Sequence, residues 1–445
     1  MTTDRGSFRR ATLALGLCVQ LSAVGCVAAR PSDSPPVLVE PSAFLPSPSK
    51  APNGSAPAVA PSPVTTPPPS ASPTALPGVV AAPAGPWSRI QWLDAGAVVP
   101  LGPSNVEVYG WSGGFVAVAA SGGDDGTGTM TPTVVMTSGS DDGLRWSAPQ
   151  SIDASGLDGG VEIVDVLQGP QGLLLVGDAY AGTCGGPPWV SALWTSGDGH
   201  AWHRIALPKD FTTSRVETVD GGSAGFIATG LRSDGSTPGI WASQNGTAWR
   251  SLPLPRVSSG IVVVNGATSF AGGFVLAGAV LGPDGCGGAT SLHPSLWWSA
   301  DGARWTRDTI AGTSSADDAS MSVRRISDHA LVAVETTSKP PEVRAWVSAD
   351  GRTWMRVDGP PTTLQYAMLS NGRSAAIVVD PESGVGAPTI TALDDHLRLT
   401  EIAQGGRGPV ASEDGVPWTT AIGPTGILAV SVDGRAAWLG VPAGS

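Results

Sequence analysis

Charge is scarce in this chain. Only 14% of its 445 residues are Asp, Glu, Lys or Arg, and acids outnumber bases to leave a formal net charge of −12. No Lys/Arg cluster occurs beyond the N-terminus, which argues against a nucleic-acid partner, since phosphate binding needs grouped cations. Long Leu/Glu/Lys/Ala runs at helical spacing are missing after the first 30 residues, which argues against a helical or α/β enzyme. The five histidines (His200, His203, His293, His329, His396) are scattered. His200 and His203 flank a tryptophan with no further ligand in sight, so neither a metal nor a cofactor is expected. What the chain does hold is glycine (60), proline (40) and tryptophan (16, against 7 phenylalanines). Short apolar runs punctuated by Gly and Pro point to an all-β protein with many turns.

Residues 1–25 have the features of an export signal. Arg5, Arg9 and Arg10 make a basic start, an apolar run follows, and small residues precede Cys26. At about fifteen residues that run is too short to span a bilayer comfortably as a helix. Cys26 follows "SAVG", which resembles a bacterial lipobox with Ala23 where Leu is commonest. The resemblance implies that Cys26 becomes the lipidated first residue of the mature protein, with the membrane as a partner through that lipid. Cys18 is a weaker candidate, because Leu17 before it is too large for the peptidase. An ordinary signal peptide cut nearby is the alternative. Arg9 and Arg10 suit twin-arginine export, but Thr12 breaks the apolar pair expected after them, so the export route stays open.

Residues 26–86 are a Pro/Ser/Ala/Thr tract, as in "SPVTTPPPSASPTALP". Such a tract buries too little apolar surface to offset its ordering entropy and is expected to stay disordered or partly polyproline II. It would reach at most ~180 Å extended and ~45 Å as a coil, which makes it a tether for a globular head.

From residue 87 to 445 one phrase recurs. It is "SDDGLRW" at Ser140, Asp142, Gly143 and Trp146, and "SGDGHAW" at Ser196, Asp198, Gly199 and Trp202. It returns as "SQNGTAW" (Ser243, Asn245, Gly246, Trp249), "SADGARW" (Ser299, Asp301, Gly302, Trp305) and "SADGRTW" (Ser348, Asp350, Gly351, Trp354). Each follows a short apolar run, and most lead into an alternating one. Asp-Gly or Asn-Gly between two strand-like runs is the strongest short hairpin signal. The Ser and Asp side chains can bond the turn's amides, and the Trp offers a large apolar face. The phrase is thus expected to lock the third strand of a repeating unit to the fourth.

A period of about fifty residues with four antiparallel strands per unit is the mark of a β-propeller blade. Blades are expected to start near Asn105, Val161, Arg215, Ile261, Ser322, Leu364 and Val416, seven in all. The sixth is degenerate, with "LDDHLRL" (Leu393–Leu399) in place of the lock. The seventh supplies three strands before the chain reaches Ser445. "GPWSRIQW" (Gly85–Trp92) looks like the strand after a lock, so the N-terminal strand is expected to complete the last blade and close the ring.

With five copies of its phrase, the head resembles the Asp-box (BNR-like) propellers of the sialidase-like superfamily, although the phrase is one residue shorter than the common Ser-x-Asp-x-Gly-x-x-Trp. That resemblance implies a propeller and leaves the activity open, since propellers host unrelated functions. Sialidases pair a Tyr nucleophile with a Glu and hold the substrate carboxylate with three Arg, one in an early Arg-Ile-Pro phrase. Here the tyrosines are Tyr109, Tyr180 and Tyr366, and the nearest phrases, at Arg89 and Arg325, do not match. No catalytic residue is assigned.

Cys184 and Cys286 occupy equivalent loops between strands two and three of blades two and four. Outside the cytoplasm they are expected to form a disulfide, the alternative being two free or buried thiols. The same face carries Asp124 and Asp125 in a long acidic loop, without calcium-loop spacing, and Trp189, which is a binding patch if exposed and core if not. Three first strands begin alike, with Glu107, Glu162 and Glu217 near the mouth of the tunnel. They would either attract a cationic partner or be satisfied locally. The expectation is a lipid-anchored envelope propeller that binds an unknown protein or glycan at its loop face. The alternatives are a carbohydrate-active, sialidase-like enzyme and an assembly factor for an envelope complex.

Overall fold

The structure, a computed structural model, describes residues 89–443 except 96–98, 102–104, 125–129, 158–159, 181–188, 223, 271, 283–291, 309, 315–318, 328–329, 339–340, 358–365, 371–374, 380–388, 394–398, 406–408 and 410–417. The export signal, the tether and Cys26 lie outside the described residues, as do Cys184, Cys286 and Asp125.

Six sheets of four antiparallel strands follow one another along the chain, each with spatial order equal to chain order. Their first strands are Val106–Trp111, Val161–Gly169, Arg215–Gly222, Ile261–Phe270, Ser320–Ser327 and Tyr366–Ser370. These begin within two residues of the starts expected from the repeat. First strands of successive sheets lie beside one another, so each sheet is a blade of a β-propeller with its first strand innermost.

The expectation of seven like blades needs correction, for only six sheets are four-stranded. The remaining one has five strands and is mixed: Trp418–Ile422, Ile427–Ser431, Ala437–Pro442, then Arg89–Asp94, then Ala403–Gly405. Arg89–Asp94 runs antiparallel to Ala437–Pro442, with Ile90 opposite Pro442 and Asp94 opposite Trp438. Ala403–Gly405 lies parallel on its outer side, with Arg89 opposite Ala403. Ala403–Gly405 follows the sixth blade's fourth strand, Leu399–Glu401, after one residue. Past Ile402, itself buried, the chain runs along the edge that Arg89–Asp94 would otherwise expose, and Trp92 Nε1 donates to Gln404 Oε1 at 2.9 Å.

This mixed sheet packs against both of its neighbours. Val106, Val108 and Phe115 of the first blade share a buried cluster with Ala421, Leu428, Val430 and Leu439. Ile90, Trp92, Ile422 and Ile427 share another with Ile390 and Ile402 of the sixth. Val106 N also donates to Val432 O at 2.8 Å, and Thr425 Oγ1 to Asp142 O at 3.1 Å. The backbones meet so closely that a Cβ on Gly110 would sit 1.9 Å from Ile422 O.

The repeated phrase forms the turn its chemistry dictates. Asp301 Oδ1 accepts the amides of Ala303 and Arg304 at 2.8 and 3.2 Å, and Ser299 Oγ accepts that of Gly302 at 2.8 Å. The same two-amide grip recurs at Asp142, Asp198, Asn245 and Asp350. The five turn glycines have φ between 73° and 78°, a left-handed conformation that a side chain disfavours. The phrase tryptophans pack less deeply than expected. Trp202 and Trp249 are buried, but Trp146, Trp305 and Trp354 are half-buried. The fully buried tryptophans are Trp194, Trp241, Trp297 and Trp346, at matching places on the third strands of blades two to five. They fill the space between blades.

Candidate functional site

The three first-strand glutamates are not equivalent. Glu107 lies opposite Val118, Glu162 lies opposite Asp178, and Glu217 is the extra residue of a bulge between Val216 and Thr218. Bulges shift the register of blades two and three, whereas the first strand of blade one pairs without one, so the shared "VE" spelling puts the carboxylates at different levels. Glu107 and Glu217 each have a neighbour: Tyr109 donates its hydroxyl to Glu107 Oε2, and Arg215 Nη1 stands 3.7 Å from Glu217 Oε1. Burial pushes the Glu217 carboxyl above its ordinary range, and Arg215 opposes that shift.

Between blades two and three these residues belong to a compact polar cluster. Trp189 is 6% exposed, with the Arg215 guanidinium 4.8 Å from its ring centroid, so it is wall and not an open platform. Beside it Asp178 is almost fully buried, and that burial pushes its carboxyl up to about 7, against the pull of Ser191, the Val216 amide and Arg215. Ser191 Oγ lies 2.6 Å from Asp178 Oδ1 and 2.6 Å from Ser214 O. A hydroxyl has one proton and a carbonyl has none to give. Both contacts are therefore hydrogen bonds only if Asp178 is protonated and donates to Ser191, which donates to Ser214.

On the first strands the arrangement changes from acid with serine to acid with arginine. Arg324 Nη1 on the first strand of blade five stands 3.6 Å from Asp165 Oδ2 on that of blade two. Blades three and four separate these two around the ring, so the pair bridges the channel. Asp220, half-buried on blade three, has its carboxyl pushed up by desolvation and opposed chiefly by Arg325. Gly221 N–H donates to Asp220 Oδ1 at 2.7 Å. The charged doublets in these first strands ("VDV", "VDG", "VRR") were the available signal, but only the strand register shows that they meet.

On blade five Glu335, 1% exposed, accepts the Ser314 amide at 2.8 and 3.1 Å and faces Arg344 at 3.4 Å. Arg344 also makes a forked contact with Glu342 at 2.8 and 2.7 Å. On blade four a cavity of about 290 Å³ opens beside the connection from blade three. Arg256, Val257, Ser258 and Ser259 line one side, and Val280, Gly282, His293 and Arg307 the other. Gly260 lets the two sides meet, since a Cβ there would stand 2.2 Å from Leu281 O.

Asp124 ends the second strand of blade one. Among the described residues no group of three or more His, Cys, Asp and Glu is placed to hold a metal ion. No described helix is long and apolar enough to cross a membrane.

No family model matches the chain, and no curated protein matches it. Solved propellers do. One titled "YCF48 bound to D1 peptide" is 13% identical, covers 82% of this chain and 99% of its own, and has a TM-score of 0.40. The Hadza microbial sialidase Hz136 is 12% identical over 68% of each chain, with a TM-score of 0.36. A putative glycosidase from Bacteroides thetaiotaomicron is 11% identical, covering 64% of this chain and 94% of its own, at 0.30. At such identities the likeness concerns the fold alone.

Proposed function

We propose that this protein is a binding or scaffolding module of the cell envelope, a propeller held to the outer face of the membrane by a lipid on Cys26 and a 26–86 tether. In this reading the five-stranded mixed sheet serves as its seventh blade, and the loop-bearing face engages a protein or glycan. The observation that carries it is how the described acids of the blades are used. Glu217, Glu335, Asp165 and Asp178 each already engage a residue of the fold, and the Asp165–Arg324 pair crosses the channel, whereas the hydrogen-bonded Tyr109–Glu107 pair is of the kind the sialidase-like alternative would use. A glycosidase of the two-carboxylate kind needs such groups facing a substrate, whereas a scaffold uses them to stiffen its ring. Lipid anchorage is tested by fractionating cells that make the wild-type chain or Cys26→Ala. The wild type should stay with membranes, and the variant should leave them. Equal membrane retention of both would reject the anchor. The binding role is tested by cross-linking the tagged protein in its own envelope and asking whether a specific partner is captured.

A further inference from the structure

The cavity on blade four stands apart from every other charged feature described above. Arg256 and Arg307 both line it, together with His293 and the hydroxyl residues Ser258 and Ser259. Among the described residues no carboxylate lines it, and neither arginine has an acidic partner. By contrast Arg204, Arg215, Arg324, Arg344 and Arg435 each face an Asp or Glu. Two unpaired, exposed arginines sharing one concavity is an unusual use of cation in a chain of net charge −12. Both side chains are exposed, and among the described residues neither pairs with an acid of another blade. Arginine is the side chain whose planar fork matches a carboxylate or phosphate, and serine hydroxyls complete such a shell. The valines at 257 and 280 supply apolar wall. A volume of about 290 Å³ lies at the small end of ligand pockets, which suits an occupant about the size of one sugar residue.

We infer that this cavity is a binding site for a small oxyanion, a carboxylate or phosphate borne on a group no larger than a single sugar residue. The inference rests on reading the loop-bearing face as the working surface, since the cavity lies where strands two and three of blade four are joined and where the chain enters from blade three. Attraction by Arg256 and Arg307 is local, so the bond should weaken with added salt as exposed charge pairs do.

The test titrates the full-length chain with sodium glucuronate, inorganic phosphate and glucose by calorimetry at low salt. At least one anion should bind at one site per chain, tenfold or more tighter than glucose. Arg256→Ala with Arg307→Ala should weaken that binding tenfold or more, whereas Arg304→Ala, in the hairpin turn of the same blade, should leave it unchanged. Preference for glucuronate assigns an acidic saccharide, and preference for phosphate a phosphoryl group. The idea fails if neither anion outcompetes glucose, if the double variant binds as the parent does, or if Arg304→Ala loses as much. Cross-linking with the double variant separates the two levels. A partner captured by both chains while no anion binds rejects the cavity and keeps the scaffold. An anion bound while no partner is ever captured does the reverse.

Discussion

Ser191 can give one proton, yet two oxygens lie within 2.6 Å of it. That residue-level count makes Asp178 an acid held neutral by burial, with its carboxyl at about 7. An unfolded Asp titrates near 3.9, so between about pH 4 and 7 the folded chain holds a proton that the unfolded chain has lost. Stability from this group is complete below pH 4 and falls as pH rises to 7. A three-unit span corresponds to roughly 4 kcal/mol as an upper figure. Asp178→Asn keeps a donor toward Ser191 and removes the titration. We expect it to melt several degrees above the parent at pH 8 and close to it at pH 4.5, in thermal scans at both pH values. A gap of the same size at both would mean that the second proton is not where the oxygen distances place it. Trp189 teaches a related lesson. Its identity did not reveal whether it was platform or wall, and its burial beneath the Arg215 guanidinium settles that it is wall.

For the hairpin that joins strands three and four, the seven-residue phrase is nearly sufficient. Although partial burial pushes it up, Asp350 is held at about 2 by the Thr353 and Arg352 amides and the Thr353 and Ser348 hydroxyls. Its contribution is present above the unfolded value near 4 and lost as pH falls from there toward 2. Gly302 has φ 73°, and a Cβ there would stand 2.6 Å from Leu252 Cδ1. Gly302→Ala should therefore cost about 1–2 kcal/mol from the left-handed backbone alone, measured as a lower urea midpoint. An unchanged midpoint would mean the turn tolerates a side chain. One further turn resembles it in part without spelling the phrase, with Asp433 Oδ1 accepting the Arg435 amide and Ser431 Oγ the Ala436 amide in place of the glycine's. In the mixed sheet Ser431 donates to Asp433 Oδ1 at 2.5 Å, and Gly434 has φ 71°. It joins that sheet's second strand to its third, so it sits on the opposite face from the others. Its tryptophan, Trp438, comes one residue later than the phrase requires. The single-turn helix Lys209–Thr212 was likewise unforeseen. Four residues carry no period, and its place is set by Phe211, fully buried 5.1 Å from both Trp241 and Trp249.

At the scale of the whole molecule the ring depends on its first described strand. Ile90 and Trp92 are buried between the mixed sheet and blade six. Removing residues 1–94 would expose the edges of both Ala437–Pro442 and Ala403–Gly405. Such a chain should lose its cooperative melt and associate on size-exclusion chromatography, whereas removing 1–86 alone should leave a monomeric, fully stable head. A well-behaved monomer after the longer deletion would show that the ring closes without that strand.

Residue types and their spacing were enough to determine the four-stranded unit, its period and the turn that locks it, because those depend on neighbours in sequence; the strand that closes the last sheet was legible because its sequence resembles the strand after a lock. The bulges that scatter Glu107, Glu162 and Glu217, the acid–arginine pair across the channel and the paired arginines of the blade-four cavity were decided by the tertiary structure alone. A one-residue shift in a strand moves a side chain to another level, and such a shift depends on packing between blades that no short stretch of sequence contains.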